Sequence, residues 1–154
     1  MRIKSLYKKI RMFILKKKFR LKNASATFYC GKNCYFSPDM YVGKYVYIGH
    51  RCIVYPRVEI GDYSKIAPDV KIIGGDHRYD QVGIPILYSG RAELNETIIG
   101  RDVWIGTNSI IMTGVSIGDG SIVAAGSIVT KDIAEFSIYA GVPAKFIKNR
   151  FEKK

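Results

Sequence analysis

His77 is one of two histidines in 154 residues, and it stands in GGDHRYD, residues 74–80, among charged and aromatic side chains. An imidazole changes charge near neutral pH, so it can take a proton from a weak nucleophile such as a hydroxyl. A loop histidine satisfied by Asp76 or Asp80 is the plainer alternative. His50 follows Ile48-Gly49 in a regular stretch and takes an outward position there, which reads as structural surface. Two histidines cannot make a three-histidine zinc site. Cys30, Cys34 and Cys52 lack metal-ligand spacing, and an odd number of thiols fits a reducing, cytoplasmic compartment better than a disulfide framework. There is no lysine-bearing phosphate loop and no dinucleotide fingerprint.

The rest of the chain must hold His77 in place, and its dominant feature is a repeat of six. Residues 36–71 divide into FSPDMY, VGKYVY, IGHRCI, VYPRVE, IGDYSK and IAPDVK. Residues 99–134 divide into IGRDVW, IGTNSI, IMTGVS, IGDGSI, VAAGSI and VTKDIA, and CGKNCY extends the pattern upstream. The first position is Ile, Val or Phe, the second is often Gly, and the fifth is small or medium. A period of six suits neither a helix nor a simple strand. It suits a chain that turns a corner every six residues, so that three hexads close a triangular coil. First-position side chains then fill the interior, and coils stack by parallel pairing about 4.8 Å apart. Cys34 and Cys52 should stack in successive coils as core side chains.

The phase holds from Cys30 to Ile72 and resumes at Ile99. The interval of 27 residues is not a multiple of six, so a segment must leave the coil. GGDHRYDQVGIPILYSGRAEL has the glycines, proline and mixed polarity of a projecting loop, and His77 lies at its base.

Length and a hydrophobic content of 47% fit one compact domain, with no apolar run of membrane-spanning length and no signal peptide. The net charge of +12 is concentrated: residues 1–22 hold ten Lys or Arg and no acid. The remaining 15 basic residues are set against all 13 acids, leaving +2 for the body. Within the basic arm Ile3, Leu6, Tyr7, Ile10, Phe13 and Ile14 recur at helical spacing, with Lys4, Lys8, Lys9 and Arg11 on the polar side. Such a helix either caps the open end of the body or lies on an anionic membrane, and the two are compatible. No nucleic-acid-binding module is present, so nucleic acid is not an expected partner.

Over residues 28–150 the chain resembles the hexapeptide-repeat acyltransferases, and VWIGTNSIIMTGVSIGDGSIVAAGSIVTKDIAEFSIYAGVPAKFI, residues 103–147, resembles their sugar and xenobiotic O-acetyltransferase branch. The resemblance implies an all-β, left-handed parallel β-helix of about five triangular coils. The expected divisions are a basic helical arm at 1–23, a β-helix at 24–140 with an acceptor loop at 73–98, and a tail or short helix at 141–154. The tail helix should turn Phe146, Ile147 and Phe151 inward.

It further implies a homotrimer, acetyl-CoA as acyl donor and no metal, with His77 as the base that takes the acceptor's proton. By the same resemblance Trp104 lines the cleft between subunits, and Thr107 and Ala125 meet the pantetheine arm. Thr130 and Lys131 lie near the adenosine and its phosphates, and Lys145 and Lys148 face the ribose 3′-phosphate. Asp76, Arg78, Tyr79 and Asp80 are the candidate acceptor contacts, with Tyr88 and Arg91 further along the loop. The implied function is O-acetylation of a carbohydrate, in bacterial surface polysaccharide assembly. Open alternatives are N-acetylation of an amino sugar nucleotide, O-acetylation of an antibiotic, and a non-catalytic β-helical scaffold.

Overall fold

In the computed structural model, residues 2–152 are described, and within residues 2–10 only the side chains of Tyr7 and Ile10 are. The chain opens with helix α1 (Arg2–Lys18) and then coils. Strands β1 (Tyr29–Cys30), β2 (Tyr35–Phe36) and β3 (Tyr41–Val42) make one coil, and β4 (Tyr47–Ile48), β5 (Ile53–Val54) and β6 (Val58–Ile60) the next. Then come β7 (Lys65–Ile66), β8 (Lys71–Ile73) and, beyond the loop, β9 (Thr97–Ile99). These are followed by β10 (Trp104–Ile105), β11 (Ile110–Met112) and β12 (Ser116–Ile117), then β13 (Ile122–Val123) and β14 (Ile128–Val129). The chain ends in β15 (Ser137–Ala140) and β16 (Lys145–Asn149).

Three parallel faces result: β1-β4-β7-β10-β13-β15, β2-β5-β8-β11-β14 and β3-β6-β9-β12. Tyr47 pairs with Lys65 and Ile53 with Lys71, one coil of 18 residues apart. Across the loop the offset becomes 39, as in Lys65 with Trp104, so the loop inserts 21 residues and leaves the register intact.

The hexad reading explains the packing. First-position side chains from Phe36 through Ile66 and Ile105 to Val129 form the buried core. Fifth-position residues are buried too, and the serines among them spend their hydroxyls on the neighbouring coil. Ser64 Oγ donates to the Gly100 carbonyl at 2.7 Å and Ser121 Oγ to that of Ala134 at 2.7 Å. Second-position glycine answers a close approach: a Cβ on Gly49 would lie 2.4 Å from Pro68 N, and one on Gly106 would lie 2.4 Å from Ala125 N. The left-handed backbone falls instead at the fourth position, as at Tyr45, Arg51, Tyr63, Asp69 and Asn108.

Three details depart from the sequence reading. The last repeat is short: Ile133 bridges Ile117, an offset of 16, so Ile133 takes an inward first position rather than a fifth. The tail is no helix, since β16 turns back antiparallel on β15, and Phe146, Ile147 and Phe151 are exposed. A strand forms because β15 offers a free sheet edge.

The third concerns α1. It does sit over the open end of the coil, but Met12, Leu15 and Phe19 do the covering. The Phe19 ring meets Phe36 edge-on, with centroids 5.5 Å apart. Arg11, expected on the polar outer side, is tucked beneath, and Tyr7, Ile10, Phe13 and Ile14 face outward. The side chains of Ile3, Lys4, Leu6, Lys8 and Lys9 lie outside the described residues.

Candidate active site

The loop opens where the five-stranded face meets its second corner. Gly74 passes so close to Thr113 that a Cβ would lie 1.9 Å from its hydroxyl, and Gly75 turns the chain at φ +75°. Both glycines of the motif are therefore required. The neck is then zipped: His77 bridges Arg91 antiparallel, the Arg78 N–H donates to Gly90 O at 3.1 Å, and the Ala92 N–H to Asp76 O at 2.8 Å. Ser89 Oγ donates to Arg78 O, Arg91 Nη1 to Gly75 O at 3.0 Å, and Arg57 Nη1 reaches from the coil to Leu94 O at 2.8 Å.

His77 is half-buried, and its Nδ1 is enclosed with no hydrogen-bond partner among the described residues. Neither Asp76 nor Asp80 satisfies that nitrogen, so the plain turn-histidine reading loses its expected partner. Asp80 pairs with Arg78 at 3.3 Å, and this bond holds its carboxyl below the usual range. Arg78, Tyr79 and Asp80 line a cleft of about 620 Å³ with Arg91, Ala92 and Glu93. Asp76 is exposed at the neck and does not line that cleft. Of the two groups named further along the loop, Arg91 lines the cleft and Tyr88 does not, and Glu93 is added, because closure of the loop brings positions 78 and 91 together.

The other candidates fall on different parts of the prism. Thr107 and Ala125 share the corner before the five-stranded face, where Thr107 O accepts from the Gly126 N–H at 2.9 Å. Thr107 Oγ1 also donates to Pro68 O at 2.7 Å. Trp104 lies round that corner on the adjacent face, 48% exposed, between Lys65 and Ile122. The Lys65 ammonium stands 5.9 Å from its ring centroid. Both residues hold the sixth hexad position, a signal that could have found Lys65.

Thr130 and Lys131 leave β14 at the second corner, the one from which the loop departs higher up. The turn after β15 docks on β14: the Ile128 N–H donates to Gly141 O at 3.0 Å and the Ala144 N–H to Ile128 O at 2.8 Å. Lys145 is thereby brought to the strand that leads into Thr130 and Lys131, whereas Lys148 pairs with Ile138 further along the edge. Within one chain, then, Thr107 joins Ala125 and Lys145 approaches Lys131, but His77 and Trp104 occupy different sides.

The residues set aside earlier have structural work. His50 Nδ1 accepts the Lys32 N–H at 3.0 Å, a role Asp62 Oδ1 plays for the Lys44 N–H at 2.6 Å. Cys30 and Cys52 are buried, and hydrogen bonding with Cys34 together with burial pushes their thiols up. Cys34 donates to Gly49 O at 3.1 Å.

Residues 39–74 match the family described as bacterial transferase hexapeptide (six repeats), and residues 96–131 match the hexapeptide repeat of succinyl-transferase. A probable macrolide acetyltransferase of Lysinibacillus sphaericus is 43% identical over 122 residues, covering 70% of this chain and 64% of that protein. The chain thus spans just under two thirds of that relative's length. A chloramphenicol acetyltransferase of Agrobacterium fabrum is 33% identical over 146 residues, covering 75% of this chain and 70% of that protein.

The chain belongs to the hexapeptide-repeat acyltransferases. Its coil is accordingly the left-handed β-helix of that family. A galactoside acetyltransferase in complex with coenzyme A superposes with a TM-score of 0.70 at 30% identity, covering 94% of this chain and 81% of that one. The family takes its acyl group from a CoA thioester, and the corner bearing Thr107 and Ala125 suits a slender ligand, because small side chains let it approach the backbone.

Proposed function

We propose that this protein is an acetyl-CoA-dependent O-acetyltransferase that acts on a carbohydrate hydroxyl, with His77 as general base. The observation that carries the reading is His77 itself: a half-buried imidazole held at the zipped neck of the long loop that breaks the repeat, with Nδ1 enclosed. Proton transfer then falls to Nε2. The acceptor O–H gives its proton to Nε2 while its oxygen attacks the thioester carbonyl. The C–S bond breaks, the acetyl ester forms, and the imidazolium returns the proton to the CoA sulfur. No acyl-enzyme is needed.

Arg78, Tyr79, Asp80, Arg91 and Glu93 offer donors, acceptors and a ring for stacking, which is what a polyhydroxylated acceptor requires. The basic helix α1 fits an enzyme working beside membrane-bound glycan intermediates, and it is what supports a role in surface polysaccharide assembly. Trp104, Thr107, Ala125, Thr130, Lys131, Lys145 and Lys148 are the proposed CoA contacts. A homotrimer completes the site, because His77 and Trp104 stand on different sides of one prism and a neighbour can bring them together. The exposed Val82, Ile86, Leu87 and Tyr88 of the loop offer apolar surface for such a contact. Sedimentation should give three times 17.4 kDa.

O-acetylation of an antibiotic is the second reading, favoured by the identity to the macrolide and chloramphenicol acetyltransferases. Radiolabelled acetyl transfer to a panel of glycans, sugar nucleotides, macrolides and chloramphenicol separates the two. Acetylation of drugs alone would overturn the carbohydrate reading, and N-acetyl product alone would overturn the hydroxyl.

A further inference from the structure

The outward face of α1 has nothing covering it. Tyr7, Ile10, Phe13 and Ile14 are 62%, 52%, 69% and 59% exposed. Their spacing of three and four aligns them as one row along the helix. The helix cannot roll to hide this row, because its inner face is bolted to the first coil. Arg11 Nη1 donates to Cys30 O at 2.8 Å, and Lys16 Nζ donates to Ala24 O at 2.8 Å. Burial lowers the Lys16 ammonium from its usual range, in keeping with its position under the helix. Met12, Leu15 and Phe19 fill the remaining space.

The charge around the row has one sign. Lys17, Lys18, Arg20 and Lys22 are exposed beside it, and no acid occurs before Asp39. A second copy docked on this face would set one cationic helix against another. An apolar row rimmed by uncompensated cations matches a surface that is apolar beneath and anionic at its edge.

We propose that α1 is an interfacial anchor that lies flat on an anionic lipid surface, with Tyr7, Ile10, Phe13 and Ile14 inserted below the headgroups and Lys17, Lys18, Arg20 and Lys22 among the phosphates. At 17 residues α1 lies on the bilayer rather than through it. Among the described residues, no helix is long and apolar enough to cross a membrane. Tyr7, Ile10 and Ile14 also edge an open groove of about 370 Å³ that α1 shares with Gly31, Asn33 and Cys34, and Phe13 lies outside it. Arg11 and Lys16 hold the helix to the prism.

Co-sedimentation of the full chain with vesicles tests this, using phosphatidylcholine alone or mixed with phosphatidylglycerol. The wild type should pellet with the mixed vesicles and not with phosphatidylcholine alone, and salt should weaken the binding. Phe13→Glu/Ile14→Glu should lower partitioning by roughly tenfold or more. Each of Lys17→Gln, Lys18→Gln and Lys22→Gln should lower it by roughly fivefold. Both apolar positions are exposed, so melting should be unchanged, and turnover on a soluble acceptor should be unchanged too. The readout is lipid binding, so its failure leaves the catalytic reading intact.

As a direct probe of insertion, Phe13→Trp in a Trp104→Phe background should shift its emission to the blue on mixed vesicles. Three results would overturn the anchor: a wild type left in the supernatant, a glutamate variant that binds as the wild type does, or no blue shift. A lower sedimenting mass for the glutamate variant would overturn it as well, and would make the row a contact between copies.

Discussion

In the coils, an inward side chain such as Ile66, Ile105 or Ile111 is enclosed by equivalents one turn above and one turn below. In the loop between β8 and β9, order comes from a handful of hydrogen bonds at the neck, while Tyr79, Val82, Leu87 and Tyr88 reach into solvent. Repetition therefore supplies stability, and the long loop that interrupts it carries the histidine proposed as the base. Damage in the two regions should separate accordingly, in turnover for the loop and in unfolding for the coil.

The widest separation is expected at His77. His77→Ala should lose roughly 10²–10⁴ in turnover, or about 3–5 kcal/mol of barrier, with acetyl-CoA affinity and melting temperature unchanged. Steady-state kinetics, calorimetric titration with acetyl-CoA and a thermal melt read the three quantities. Wild-type turnover in a folded variant would reduce GGDHRYD to a turn.

Ile111→Ala is the counterpart in the coil. Removing a fully buried side chain from an interior strand of the five-stranded face should cost about 2–5 kcal/mol in denaturant unfolding. Turnover of the folded fraction should stay near wild type. A large loss of turnover at full stability would break the division.

The basic end should sharpen it further. Lys131→Ala and Lys145→Ala should each raise the acetyl-CoA KM by roughly 3–10-fold, with little change in turnover. Added salt should blunt the difference from wild type. His50→Ala leaves the Lys32 N–H unmatched and should cost about 1 kcal/mol of stability with no kinetic effect.

The smallest effect belongs to the corner pair of Arg51 and Asp69, which meet at 2.7 Å in solvent. Arg51 holds the Asp69 carboxyl below its usual range, so the fold favours the ionised form. That contribution is present above the ordinary carboxylate pKa of about 3.9 and is lost as pH falls below it. Asp69→Asn should therefore differ slightly from wild type at neutral pH and converge with it in acid, as followed by denaturation at a series of pH values.

The repeat was legible because each coil poses the same steric problem, which has the same few solutions at the first, second and fifth positions. Loop and histidine were legible as the break in that phase. Glu93 was not, since a loop's closure depends on bonds such as Arg78 to Gly90 that leave no periodic trace. The shortened last repeat hid because Ile133 suits either position.

Sequence alone determined the coil, its register and the departure of the segment that carries His77, because local steric rules recur every six residues. Only the tertiary structure decided which way α1 faces. Helical periodicity picks out the row through Tyr7, Ile10, Phe13 and Ile14, but the shorter apolar row through Met12, Leu15 and Phe19 is the one that covers the coil. Carbonyls of the first coil, at Cys30, Gly31 and Ala24, draw Arg11 and Lys16 inward and turn the longer row out. The tail was decided in the same way: Lys145–Asn149 became a strand because β15 presented an unpaired edge, and an unpaired edge is a property of the folded stack.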